Sequence, residues 1–244
     1  MIDLSTPWEK RVSVMQPYIF PYLGYFQLIA ASGEFVCYDD VNFIKQGWIN
    51  RNRILLNGQP FTFTIPCKGI SSNVFIHDVN VDHEKKEYQS FLKTLEQAYR
   101  KSPQYANVFP LIEELWQKRF SSIAALAKAS LELCCYYLEI PTRFYVSSES
   151  FPGLTDLYRA DRLIHIAKAL DASAYLNLSG GKELYQKEYF QDRGVDLWFH
   201  KILDIPPYPQ QQTQQFHPHL SILDLIMNLP KSEVQALLLK CHWE

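Results

Sequence analysis

The stretch "DDVNFIKQGWINRNRI" gathers two carboxylates, two amides and two guanidiniums: Asp39, Asp40, Asn50, Arg51, Asn52 and Arg53. A carboxylate at the end of a strand can accept a proton or hold a metal, which makes Asp39 and Asp40 the candidate catalytic residues. Strand alternation sends Arg51 and Arg53 to one face, where guanidinium forks can grip a phosphate or a carboxylate. Asn50 and Asn52 join them as candidate substrate-binding amides. The competing account of the same residues is a solvated patch of salt bridges.

A second stretch, "LSGGKELY", sets Gly180 and Gly181 between Ser179 and Lys182, the composition of a backbone nest for an anion. It lacks the full GxxxxGK[ST] spacing of a P-loop, and a flexible strand-to-helix turn would read the same way. Tyr185 closes the stretch and counts with Ser179, Gly180 and Gly181 as candidate binding residues.

The third stretch is "QPYIFPYLGYF". Pro17 and Pro21 stiffen it. Gly24 lets a helix begin close to whatever the loop holds, with free N–H groups that suit an anion. Gln16, Tyr18 and Tyr25 are the side chains with polar ends to offer. A proline-fixed connection under an aromatic cap is the alternative, although a purely structural turn is usually shorter, about two to six residues. Near the end of the chain, Tyr208 in the proline- and glutamine-rich "PPYPQQQTQQFHPH" and His217 in "FHPH" are further cleft candidates. His217 and His219 share a face but lack the third ligand of a zinc site, and no metal is expected.

Composition excludes several classes. With 24 basic and 26 acidic residues, nothing favours nucleic acid or an anionic membrane surface. The 5 cysteines show no CxxC spacing and are odd in number, so neither zinc nor a disulfide framework is expected. No stretch approaches the roughly 18 apolar residues of a membrane span. "MIDLSTPWEKRVSVM" lacks the charged head and apolar run of a secretion signal, which predicts a cytoplasmic protein.

The elements that must position these residues follow from periodicity. "RVSVMQ" and "EFVCYD" read as buried strands, and "YLGYFQLIAAS" between them has helical spacing with Gly33 as its cap, giving a βαβ unit. "WINRNRILLNGQPFTFTIPC" reads as a hairpin turning at Asn57-Gly58. A helical pattern starts at Asp82 as N-cap, restarts at Pro103 and runs to about Ile140. Strand, helix, strand, loop and strand then return in "TRFYVSS", "TDLYRADRLIHIAKALDA", "AYLNL", "SGGKELY" and "VDLWFH". The sum is a single α/β domain over 1–244: a Rossmann-like open parallel sheet of about five strands. It carries a β-hairpin insertion at 48–81, a helical insertion at 82–140, and a C-terminal loop with short helices at 206–244 that closes the cleft. A strand order of 3-2-1-4-5 would make the first and fourth strands neighbours and bring their loops to one ligand cleft at the carboxyl edge. Tyr18, Tyr25, Asp40, Arg51, Gly181 and Tyr208 are expected to converge there, under a roof made by the helical insertion.

"MQPYIFPYLGYFQLI", "DDVNFIKQGWINRNRI", "YLNLSGGKELY", "YFQDRGVDLWF" and "YPQ…FHPHLSILDLIMN" together resemble the WbqC-like family, in order and over nearly the whole chain. Gln16, Pro17, Tyr18, Pro21, Gly24, Tyr25 and Phe26 match its first motif; Asp40, Asn50, Arg51 and Asn52 its second; Gly180, Gly181 and Tyr185 its third. Tyr208, Gln210, Phe216, Pro218, Ser221 and Asp224 match its last. "LNLSGG" departs from the shorter Ser-Gly-rich form of the third motif. The resemblance implies a setting in bacterial O-antigen and surface-polysaccharide biosynthesis, with glycine transfer as one activity proposed for the family. The N-terminal strand, turn and helix are also similar to the HIGH-type nucleotidyltransferases of the pantothenate synthetase kind, which activate a carboxylate with ATP. The His-x-x-His signature and a late Lys-Met-Ser-Lys-Ser-like loop are missing here.

The expectation is therefore an enzyme, a transferase or ATP-dependent ligase, that joins an aminoacyl or acyl group to an amino sugar or sugar nucleotide. ATP and a sugar nucleotide are the candidate co-substrates. The alternative is a non-catalytic sugar-nucleotide-binding or scaffold protein of the same pathway.

Overall fold

The computed structural model describes residues 10–201, 203 and 205–244. The start of the segment read for a secretion signal, 1–9, lies outside the described residues. The chain runs β1 (Arg11–Met15), α1 (Leu23–Ala31), β2 (Glu34–Cys37), β3 (Arg51–Leu56), β4 (Gln59–Thr64), β5 (Cys67–Lys68) and β6 (Asn80–Val81). It continues α2 (Lys86–Gln89), α3 (Phe91–Tyr99), α4 (Tyr105–Gln117), α5 (Ile123–Leu138), β7 (Arg143–Val146), α6 (Ser147–Ser150) and α7 (Arg159–Ala169). It ends β8 (Ala174–Leu178), α8 (Lys187–Gln191), β9 (Asp196–Lys201), α9 (Ile222–Asn228), α10 (Lys231–Leu238) and β10 (His242–Trp243).

The central sheet has the order β10-β9-β8-β1-β2-β7. Its five parallel strands, taken in chain order, stand as 3-2-1-4-5, and β1 pairs directly with β8. A short antiparallel edge strand, β10, covers β9 through Trp243 and His242; two residues are too few for a periodic signal in the sequence. Alternation along β1 explains the two layers. Val12 and Val14 belong to the core beneath α7 and α8, while Met15 packs toward α1 on the opposite face. Ser13, buried among them, hydrogen-bonds the Leu176 carbonyl at 2.9 Å and the Ser32 hydroxyl at 2.6 Å.

β3 and β4 form the expected hairpin, and its turn uses positive φ at both Asn57 (52°) and Gly58 (74°). Two left-handed residues in succession match the twist of an antiparallel pair, which is why Asn-Gly suits the place. The helical pattern from Asp82 begins later than its N-cap reading: α2 starts at Lys86 and gives way to α3 after Ser90. Asp82 instead accepts from the Glu84 N–H at 3.3 Å, a local turn that competes with helix, and pairs with Lys68 at 3.4 Å. The following helix likewise begins at Tyr105, two residues past Pro103. Helix α1 closes on Ser32, one residue before Gly33, with the Ser32 N–H donating to Leu28 and Ile29. α5 follows the expected pattern and is capped by Ser122, whose hydroxyl accepts from the Ala125 N–H.

No helix among the described residues is long and apolar enough to cross a membrane.

Candidate functional site

The two adjacent aspartates meet different neighbours because alternation continues past the end of β2. Asp40 turns toward α7 and pairs with Arg162 Nη2, both side chains being buried. The Arg162 guanidinium also lies 4.5 Å over the Tyr38 ring. Asp39 turns toward α5. Its Oδ1 accepts from the Ser147 hydroxyl at 3.0 Å and the Ser148 N–H at 3.0 Å, and its Oδ2 from the Ser148 hydroxyl at 2.8 Å. The Ser147 hydroxyl stands between the two carboxylates and also bonds Asp40 Oδ1. His77 Nδ1, buried and without a hydrogen-bond partner among the described residues, faces Asp39 Oδ2 at 3.8 Å.

Asp39, His77 and Ser148 line a cavity of about 480 Å³ between the carboxyl ends of β2 and β7 and the first turns of α5. Across it stand Lys128 and Glu132, joined at 2.6 Å, with Glu149 at the rim and Ser122 at the helix start. The cavity thus holds carboxylates, one ammonium and one imidazole in a volume that suits a small molecule. Cys37 forms part of its wall, where burial raises the thiol above its ordinary range and disfavours the thiolate. No cluster of three or more His, Cys, Asp or Glu that could hold a metal occurs among the described residues. The cavity lies at β2 and β7, one strand away from the β1–β8 reversal point.

The loop after β1 is clamped by amides and hydroxyls. Phe20 has a φ of +41° although its ring is fully buried. Such a conformation persists only where neighbours over-determine it. Here the Phe20 N–H donates to Ser130 Oγ at 3.1 Å, while its carbonyl accepts from Asn52 Nδ2 at 2.8 Å and Ser221 Oγ at 2.6 Å. Asn52 also bonds the Ile19 carbonyl at 3.0 Å, and Asn50 bonds the Ile65 carbonyl at 2.8 Å. Tyr25 is fully buried, with its hydroxyl on the Gln16 carbonyl at 2.6 Å. Gly24 lies under the Tyr22 ring, where a Cβ would come within 2.5 Å of it. These residues hold the loop's shape from inside.

Beside that loop a smaller pocket of about 200 Å³ is lined by Tyr18, Pro21, Tyr22, Trp48, Asn52, Arg53 and His219. Arg51 and Arg53, on one face of β3, both lie over the Trp48 ring, at 5.5 and 5.6 Å. Arg51 directs Nε to the Gly47 carbonyl at 2.9 Å and Nη2 to that of Gln46. Burial raises the Tyr18 hydroxyl above its ordinary pKa and pushes Tyr22 up to about 12, so both are neutral donors.

The remaining sequence candidates lie elsewhere. Ser179, Gly180 and Gly181 form a 3-10 turn after β8, with Gly181 packed on Asn177 and Lys182 paired to Glu244. Tyr185 meets Phe190 edge-on at 5.9 Å in the α7–α8 layer. Tyr208 donates to the buried Asp224 carboxylate at 2.7 Å, joined by Tyr99 at 3.0 Å and Gln210 at 3.0 Å. His217 is tied to Gln210 through its backbone. The single cleft expected from the motifs is therefore divided. Asp39 lines one cavity, Tyr18 and Arg53 another, and Tyr208 serves the Asp224 cluster and a third hollow of about 270 Å³.

Ser147, Ser148, His77, Arg162, Lys128 and Trp48 carried no role in the sequence reading. Ser147 and Ser148 had a usable signal, since "SSES" directly follows a strand, at the carboxyl edge where open parallel sheets bind ligands. Arg162 had none: "YRADRLIH" looks like any solvated helix face.

Against known proteins, a family-wide comparison matches residues 16–236, under the description WbqC-like protein family. The chain is also 27% identical to "Uncharacterized protein Rv1507c" of Mycobacterium tuberculosis over 226 residues, covering 90% of this chain and 94% of that one. No solved structure matches. With the matched span taking in the β1 loop, the hairpin, the glycine turn and the Asp224 cluster, the chain belongs to the WbqC-like protein family.

Proposed function

We propose that the protein is an enzyme of bacterial surface-polysaccharide precursor biosynthesis, O-antigen type, that transfers an aminoacyl group (glycyl in the simplest case) or an acyl group to an amino sugar or sugar nucleotide. The observation that carries this reading is the facing pair of Asp39 and His77 in the larger cavity, 3.8 Å apart, with His77 Nδ1 unpartnered. That gap exceeds a hydrogen bond, and the His77 ring, whose Nε2 stands 3.5 Å from Asp78, forms part of the wall that an entering substrate meets beside Asp39. An amine entering the cavity would meet carboxylates on two sides. As its nitrogen bonds the acyl carbon and the leaving group departs with its electron pair, the amine's surplus proton passes to Asp39. The strand order 3-2-1-4-5 supports a Rossmann-like reading of the sheet, and ATP or a nucleotide sugar as co-substrate would place the reaction in the cytoplasm.

The test is turnover with amino sugar, glycine and ATP, followed by pyrophosphate or ADP release. General base catalysis is worth about 10²–10⁴-fold, so Asp39→Asn should lose activity by that factor while His77→Ala loses less. Equal rates in wild type and Asp39→Asn would sink the catalytic role. One observation favours a second reading, a binding or scaffold protein of the same pathway. Asp39 is only 3% exposed and both its oxygens already accept hydrogen bonds from Ser147 and Ser148, so few of its lone pairs face an entering amine. In that case amino sugars or sugar nucleotides bind without any product forming.

A further inference from the structure

We infer that the Trp48 pocket is a ligand site in its own right, separate from the Asp39 cavity, for a small ring that carries an oxyanion. The two cavities share no lining residue. At about 200 Å³ the pocket suits one sugar-sized ring whose substituents reach its mouth.

Its walls say what the ring meets. Tyr18, Pro21 and Tyr22 form an apolar side, and Trp48 stays 40% exposed although indole is among the side chains most favoured by burial. The C–H face of a sugar, or a flat aromatic ring, would cover it. Its polar end is cationic. Arg53 makes no side-chain hydrogen bond or ion pair among the described residues, and its Nε is buried without a partner. Arg51 spends two donors on backbone carbonyls, which fixes it behind Trp48 without neutralising it. Two guanidiniums on one face of β3, with no carboxylate paired to either among the described residues, attract an anion, and the Nη donors of Arg53 match the paired oxygens of a phosphate or carboxylate. His219 stands at the rim in a left-handed conformation, φ +58°.

The pocket is also preorganised. Asn52, in its floor, is held by the Ile19 and Phe20 carbonyls, so the strand that presents Arg53 cannot drift from the loop that presents Tyr18. A pocket whose walls are fixed before the ligand arrives binds with less ordering loss. This inference does not rest on acyl transfer in the Asp39 cavity.

Calorimetric titration tests it with three probes: N-acetylglucosamine 1-phosphate, glucuronic acid and neutral N-acetylglucosamine. Either anionic sugar should bind at least tenfold more tightly than the neutral one, and their order tells phosphate from carboxylate. Arg53→Gln should weaken the anionic probe about tenfold to a hundredfold, the loss of a charge-assisted pair, and Arg53→Lys should recover part of it. Trp48→Ala should weaken binding, with Trp48→Phe intermediate. Asp39→Asn should leave these affinities unchanged, which separates failure here from failure of the transfer reading. Thermal melts establish that each variant folds; if Arg53→Gln does not, the Trp48 pair and Arg53→Lys still decide. Equal affinity in the Arg53 and Trp48 variants and wild type, loss of binding in Asp39→Asn, or no binding of either anionic sugar overturns the inference.

Discussion

Arg162 and Asp40 form an ion pair in which both side chains are almost wholly buried, 4% and 7% exposed. The pair joins helix α7 to the loop after β2 and thereby fixes which way Asp39 points. Removing one partner strands a charge in the interior, a loss of about 3–5 kcal/mol. Arg162→Ala should show that loss in urea unfolding. The double variant Asp40→Leu/Arg162→Met should cost less than either single change, because no unpaired charge is left behind. A single-variant loss below about 1 kcal/mol would mean that water reaches the pair.

Asn52 gives a second test, on the turn after β1. Its amide bonds two carbonyls, and Phe20 stays at positive φ partly through it. Asn52→Ala leaves buried acceptors unsatisfied and should cost roughly 1–3 kcal/mol in unfolding free energy. Asn52→Asp should be as harmful, because a carboxylate cannot donate to either carbonyl.

A third expectation concerns pH. His200 is fully buried beside Trp243, and burial lowers its pKa from 6.5 to about 4. The unfolded chain takes up this proton near pH 6.5, the folded chain only near 4, so the unfolded state binds more protons between those values. Stability from this group is complete above pH 6.5 and is lost as pH falls toward 4. One pKa unit corresponds to about 1.4 kcal/mol, so the window holds about 3 kcal/mol. His200→Phe should flatten the pH dependence of the melting temperature across that window. An unchanged slope would show that His200 is not responsible.

Gly58 supplies a fourth. Its φ of +74° suits glycine, and a Cβ there would lie 2.2 Å from the Gln212 carbonyl oxygen. Gly58→Ala therefore combines about 1–2 kcal/mol of left-handed backbone cost with displacement of the glutamine-rich loop. Thermal unfolding should register roughly 1–3 kcal/mol of loss. Asn57→Gly, at a position that also has positive φ, should change stability by less.

Legibility in the sequence divided along physical lines. The strand before "QPYIFPYLG", the Asn-Gly hairpin and the glycine turn after β8 rest on local periodicity and local backbone demands, and each stands where its signal lies. The turn at Asp82 depends on a side-chain hydrogen bond that competes with helix, which periodicity does not register, and the break at Ser90 has no side-chain cap to announce it. Arg162 meets Asp40 across a separation of 122 residues, and no spacing rule reaches so far. The partition of the motif residues into separate cavities was equally hidden. Asn50, Asn52 and Tyr25 carry polar groups that look available in sequence but are consumed by backbone carbonyls in the fold.

The clamp on Phe20 has a consequence for how the chain is made. Its carbonyl is closed by Ser221, 201 positions later, and its N–H by Ser130, 110 positions later. The left-handed turn after β1 is therefore held by groups that a ribosome delivers long after the turn itself. Domains mature as units during translation, and contacts of large sequence separation form slowly. A nascent chain arrested before Ser221 can assemble β1, β2 and the hairpin, yet the turn lacks one of its fasteners and Tyr18 and Trp48 have no fixed relation. The turn would then take its full shape only once Ser221 has emerged, and a chain cut before Ser221 should lose the fixed relation between Tyr18 and Trp48, although both precede it by well over a hundred residues.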